Sequence, residues 1–222
     1  MQETLPVRTV MKWSARRASP FSFIAFFRGS PGLASLAILD AMRSLPIYNN
    51  VAPVYRRQRF GKAYGPEQES TQMTLSLGCG FFSTFLRPQL LEVFGLEFAV
   101  RLQSWLSALG SSISAFAPRM ELLNSIPLLS LFYCGDEAVN RCLQQEAQRI
   151  GRGQGELGAA ETSMMFLPSL LMPHAFTRLY TAFSDRFPAC PYFVAIALHI
   201  FAAEFWTPWA FKRLRSTVSI KA

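Results

Sequence analysis

Five stretches of this chain run for 14 to 17 residues without one Asp, Glu, Lys or Arg: 70–86, 102–118, 122–135, 162–177 and 187–203. Segments this poor in charge must be covered, either by lipid or by a large apolar core. A membrane-crossing helix needs about 20 mostly apolar residues. No stretch reaches 18 alone. Each becomes long enough if a flanking Arg87, Arg101, Arg178 or Arg186 lifts its charge to the interface on its own aliphatic stem. A helix buried in a protein core is the other reading of each. Charged residues make up 16% of the chain and apolar ones 50%, with 20 Phe. An ordinary soluble domain carries roughly 25% charge. The composition excludes a disordered chain and a small disulfide scaffold, and it argues against an ordinary soluble enzyme.

Six apolar segments follow along the chain, at roughly 30–54, 70–92, 98–118, 122–146, 156–183 and 188–211. Long period-two alternation is absent, so the expected fold class is all-α, a six-helix transmembrane bundle. Its expected layout is a basic tail over 1–29, a six-span membrane domain over 30–211 and a basic tail over 212–222. Residues 56–69 contain Gly61, Gly65 and Pro66 and read as a loop. The region from 136 is polar and reads as a helix end running into a surface loop at 151–155. Gly and Pro also fall inside the segments, at Gly78, Gly80, Gly110, Pro127, Pro168 and Pro173 among others. Membrane helices tolerate these residues better than soluble ones, because neighbouring helices re-satisfy the freed backbone groups. The small-residue run 107–117 would let another helix approach closely.

The net charge is +8, which suits an anionic partner, either nucleic acid or a membrane face. The basic residues sit at the ends and between apolar runs, as membrane topology requires. They are not interleaved with aromatics as a nucleic-acid surface would need. Arg8, Lys12, Arg16 and Arg17 precede the first apolar run. They read as a cytoplasmic tail or, in the other reading, as an organelle transit peptide. An even number of spans with two basic ends places both termini in the cytoplasm. Arg56, Arg57, Arg59 and Lys62 then fall on the opposite side, against that rule.

Four cysteines form no CxxC pair and stand far in sequence from His174 and His199. The expectation is no zinc and no other metal or cofactor. No phosphate loop, nucleophile elbow or dinucleotide fingerprint occurs, so no catalytic residue is assigned and no enzyme is expected.

The sequence GRGQGELGAAETSMMFLPSLLMPHAFTRLYTAF at 151–183 resembles the penultimate helix of major facilitator superfamily transporters, in the tetracycline-efflux-like and hippocampus-abundant-transcript-like branch. Gln154, Gly155, Gly158, Thr162, Ser163, Pro173, Phe176 and Tyr180 carry the likeness. Met172 stands where the family usually has Gly. Residues 191–211 look like the last helix. Residues 75–101, with Arg87, Phe94, Gly95 and Glu97, are similar to the second copy of the superfamily's cytoplasmic loop, without its acidic residue ahead of the Arg. The resemblance implies the second six-helix half of such a transporter. Substrate would sit between two halves near mid-membrane, so a second half or a homodimer partner is implied beside the lipid bilayer.

Ionisable groups inside spans are costly and usually functional. Asp40 and Arg43, at i and i+3, share a helix face and could pair as a gating or coupling pair. Glu161 could carry a proton or could simply favour a helix start. His174 follows Pro173 in mid-span and could bind solute or bond between helices. Arg178 lies farther along the same span as Glu161. These five are the substrate or coupling candidates. His199 and Glu204 read as packing or rim residues. The expected function is passage of a small solute, with protons as the candidate coupling ion. The alternative is a non-transporting structural membrane subunit of a larger complex, organellar membranes included.

Overall fold

The computed structural model of the chain describes residues 22–219. Arg8, Lys12, Arg16, Arg17 and Lys221, and with them the transit-peptide reading, lie outside the described residues, whereas Lys212, Arg213 and Arg215 of the expected C-terminal tail lie in a helix. Within them the fold is all-α. A short α1 (Ser22–Phe27) leads into α2 (Pro31–Ser44), and α3 (Ala52–Phe60) follows. The long α4 (Pro66–Phe94) and α5 (Leu96–Phe116) come next. One turn, α6 (Ile126–Leu129), precedes α7 (Gly135–Arg149) and the long α8 (Gln154–Phe183). The last rod is α9 (Cys190–Phe201), a π-helical turn (Ala202–Trp206) and α10 (Thr207–Ser219).

Six longer rods therefore match the six apolar segments in order, with three corrections. The segment 30–54 is helical only to Ser44, after which Pro46 sets a 3-10 turn. The segment 122–146 is not one helix. Pro127 lies in a 3-10/α/3-10 passage, and α7 starts afresh at Gly135. The expected loop at 56–69 is mostly helix: α3 runs to Phe60 and α4 begins at Pro66. Proline belongs at a helix start, where its missing N–H costs nothing. Only Gly61, at φ 57°, and the residues up to Gly65 break the path.

The breaks have local causes. Ser30 caps α2 by accepting the Leu33 N–H at 3.3 Å, with Pro31 in the first turn. Gly95 turns α4 into α5 at φ 74°, a backbone that a Cβ disfavours. Gly151, at φ 73°, ends α7 as Arg152 N–H donates to the Ala147 carbonyl at 2.9 Å, the bonding of a Schellman stop. The loop expected at 151–155 is thus shorter, and α8 takes over at Gln154.

Helix α5 is the axis. It lies along α9 and touches α7, while α10 lies against α2. The main core joins Leu33, Leu36 and Leu39 of α2 to Val139 and Leu143 of α7 and to Phe211 of α10. Phe26 and Phe27 of α1 are also buried in it. Two polar locks fix this core. At one end Glu146, 2% exposed, accepts from Ser30 Oγ at 2.6 Å and from Arg149 Nε at 2.7 Å, tying the start of α2 to the end of α7. At the other end α7 begins in near contact with α5. A Cβ on Gly135 would stand 2.9 Å from Val100 Cα and 3.0 Å from both the Ala99 carbonyl and Arg43 Nη2. Backbone cannot yield there. Gly135→Ala is expected to destabilise the fold by about 1–3 kcal/mol through overpacking, read as a lower unfolding midpoint.

The two longest helices sit outside. α4 buries only Cys79, Ser83 and Leu91, and α8 only Leu157, Ala160 and Phe176. Their outer faces carry Phe81, Phe82, Phe85 and Val93, and Phe166, Leu167, Leu170 and Leu171, all more than half exposed. Phe81 packs edge to face on Phe85 at 5.3 Å and on Phe82 at 5.8 Å. At 29 and 30 residues these helices span roughly 45 Å. Serines, glycines and charges keep their hydropathy down. Among the described residues one helix, Cys190–Ser216, is both long and apolar enough to cross a membrane.

That last rod keeps one face inward by an unusual route. Its buried residues His199, Ala203, Thr207 and Phe211 recur every fourth position. In a uniform α-helix each such step drifts about 40° around the cylinder. The π turn widens the coil just there and takes up the drift, and Thr207 Oγ1 bonds the Ala202 carbonyl five residues back at 2.7 Å.

Candidate functional site

The polar residues that the fold turns inward meet in one chamber of about 470 Å³ between α2, α5, α9 and the start of α7. Asp40 and Arg43 reach it together because they are one turn apart on α2. From α5 comes a stripe at Gln103, Ser107, Ser111 and Ser114. α9 contributes His199 and Tyr192, and α3 closes the far end with Arg56.

Asp40 and Arg43 share the face as their spacing requires, but they do not pair with each other. Arg43 Nη2 reaches Asp136 Oδ1 on α7 at 2.9 Å. The close seat of Gly135 brings that carboxylate to it. Gln103 completes the junction. Its Oε1 accepts the Gly135 and Asp136 N–H groups at 2.6 and 3.1 Å, and its Nε2 donates to Asp136 Oδ2 at 2.7 Å. One amide thus caps α7 and holds the carboxylate that neutralises Arg43. Asp40 stays within the field of Arg43 and Asp136, but no ion pair or hydrogen bond of its carboxylate is present among the described residues.

The other three candidates are not in the chamber. Glu161 is half-buried on α8, with Oε1 buried and unpartnered, near enough to sense the Asp40 charge. His174 and Arg178 are exposed on the outside of α8. The pitch of a helix explains the split: Phe176 takes the inward position of that turn, so residues two away on either side point outward. His199, read from sequence as a packing or rim residue, is buried at 7% exposure and also lines the chamber. Glu204 is a tie rather than a free rim group. Arg101 Nη2 forks onto both its oxygens at 3.0 and 2.8 Å, and Trp105 Nε1 adds a third bond at 2.8 Å. Arg101, expected to flank a span as an interface charge, is drawn to this carboxylate.

At the far end Arg56 bonds only neutral groups: Gln72 Oε1 at 3.1 Å, Tyr64 Oη at 3.3 Å and Ser114 Oγ at 3.4 Å. Burial opposes its charge, but Tyr192 and Tyr64 beside it more than offset that, and the guanidinium holds its proton more tightly than in water. Beneath it Arg59 and Tyr55 both donate to the Ala115 carbonyl, fixing α3 to the end of α5.

Five buried polar atoms of residues lining the chamber have no hydrogen-bond partner among the described residues: Arg43 Nη1, Asn49 Oδ1, Arg56 Nε, Tyr192 Oη and His199 Nδ1. Leaving such atoms unpaired costs about 1–3 kcal/mol each. The four cysteines are free thiols, three of them buried. Among the described residues no three His, Cys, Asp or Glu side chains gather where they could hold a metal ion.

Compared with known protein families, with curated proteins and with solved structures, the chain matches none.

Gln103, Asp136 and Arg56 were missed from sequence. A signal existed for the first: Gln103, Ser107, Ser111 and Ser114 repeat at helical spacing and mark a polar face, where the run 107–117 had read only as small residues for close packing.

Proposed function

We propose that this chain is half of a membrane transporter of the major facilitator type, carrying a small solute past the Asp40–Arg43 face with protons as the coupling ion. The observation that carries this reading is the inside-out distribution of polarity. Charged and hydroxyl groups converge on an interior chamber, while phenylalanines and leucines cover the outer faces of α4 and α8. Soluble monomers rarely leave apolar patches beyond a few hundred Å² uncovered. Lipid is the cover that fits them, and both termini would then lie in the cytoplasm. The sequence likeness supports the same reading. Alternating access needs two halves rocking against each other. The other half comes from a second copy, another chain or further sequence.

The test is reconstitution in liposomes. Flux above that of protein-free vesicles is expected, with Asp40→Asn lowering it about tenfold, because a buried carboxylate in a membrane carries function by default. Absence of flux from well-incorporated protein that has formed dimers would overturn the reading. It would favour a non-transporting structural membrane subunit of a larger, organellar complex. That alternative draws on one observation: Arg43 is paired with Asp136, and Arg101 with Glu204, within the chain, as structural charges would be.

A further inference from the structure

The charges around the chamber do not cancel evenly along its length. Arg43 and Asp136 neutralise each other at 2.9 Å. That leaves Asp40 at the α2 end without a paired cation. At the α3 end it leaves Arg56 with only Tyr64, Gln72 and Ser114 as partners, and no carboxylate contacts it among the described residues. The chamber thus has a negative end and a positive end. Between them Ser107, Ser111 and Ser114 line one wall, and Arg43 and His199, each only 7% exposed, line the same space.

We infer that this chamber binds a small dipolar solute, with an amine at Asp40, a carboxylate at Arg56 and hydrogen-bonding groups between. A simple anion would meet Asp40, and a simple cation would meet Arg56. Only a molecule carrying both charges at opposite ends satisfies both walls. Length gives a second constraint. The polar stripe from Gln103 to Ser114 rises about 16 Å along α5, and the Arg56 and Asp40 side chains reach inward from its two ends. An extended tripeptide is about 10 Å long, so with those side chains reaching inward its termini meet both ends while its amides face the serines. The inference rests on the transporter reading only in naming the bound solute as cargo.

The experiment is calorimetric titration of the detergent-purified chain with triglycine, N-acetyl-triglycine and triglycine amide. Saturable binding of triglycine is expected, with each cap weakening it about tenfold, because each removes one charge-assisted contact. Asp40→Asn is expected to abolish discrimination against the acetyl form while leaving discrimination against the amide. Arg56→Gln is expected to do the reverse. The capped peptides test the wild-type chain, so the result does not depend on either variant folding. Equal affinity for all three peptides, or no saturable triglycine binding up to about 10 mM (a binding free energy of only about 3 kcal/mol), overturns the inference. Binding without flux in liposomes keeps the inference and sinks the transporter reading. Flux of another solute without triglycine binding does the opposite.

Discussion

Replacing Phe176 with alanine is expected to cost about 3–5 kcal/mol, the usual range for removing a buried aromatic ring. Among the described residues Phe176 is the bulkiest fully buried side chain, at 0% exposure. It is also one of only three buried residues on the 30 residues of α8. The other two, Leu157 and Ala160, lie at the helix start, so Phe176 is the one fully buried side chain of the far half, where Tyr180 packs at the Tyr55–Tyr192 cluster and Thr177 bonds Asn50 at its edge. The loss comes from dispersion contacts and from the cavity left behind, and it survives when the outer surface is coated with detergent or lipid. The measure is the unfolding midpoint of the purified variant. A control at Leu170, which is 53% exposed, should change stability by under about 0.5 kcal/mol. Equal effects at both positions would mean that α8 is not held as described.

The second large effect is asymmetric. The Arg43 side chain is 5% exposed, while its partner Asp136 is 65% exposed. Removing the buried member leaves a carboxylate that water can reach, so Arg43→Met should cost little, about 1 kcal/mol. Removing the exposed member leaves a buried guanidinium without its ion pair. Asp136→Ala should therefore cost about 3–5 kcal/mol. Combining the two should recover most of the loss, because a methionine needs no counter-charge. A double-mutant cycle on unfolding midpoints reads this directly. Strict additivity of the two single effects would show that the pair is not coupled.

The architecture was legible where a segment carried its own punctuation. Four of the five charge-free runs lie in rods because runs of that length must be covered and favour the helix, whereas the run 122–135 folds as short turns around Pro127. The ends at Gly95 and Gly151 follow from glycine's freedom at positive φ. Where two rules competed, the sequence was ambiguous. Residues 56–60 read as loop because glycines and a proline stood nearby, although the residues themselves are good helix formers. The break before α7 depends on Pro127 and on the close contact of Gly135 with α5, which exists only once α5 is in place. The candidate site was half legible for the same reason. Spacing placed Asp40 and Arg43 on one face, and they do share it. The partner of Arg43 is 93 residues away, and no local pattern announces it. His174 and Arg178 looked as promising as Asp40. The rotation of α8 that turns them outward is set by where Phe176 seats, a packing outcome that hydropathy does not encode.

The wide turn at Ala202–Trp206 has a consequence for how this molecule could change. Because the excess rotation is absorbed within five residues, the stretch bearing His199 and the stretch bearing Phe211 face the same way although one surplus residue lies between them. Deleting one residue at Ala203 would close the coil into a regular spiral whose remaining steps from His199 to Phe211 come within about 20° of three full turns. Phe211 would keep its seat against α2, and the chamber wall above would keep its orientation. The surplus residue is thus a spare link that the last rod can lose without turning either end.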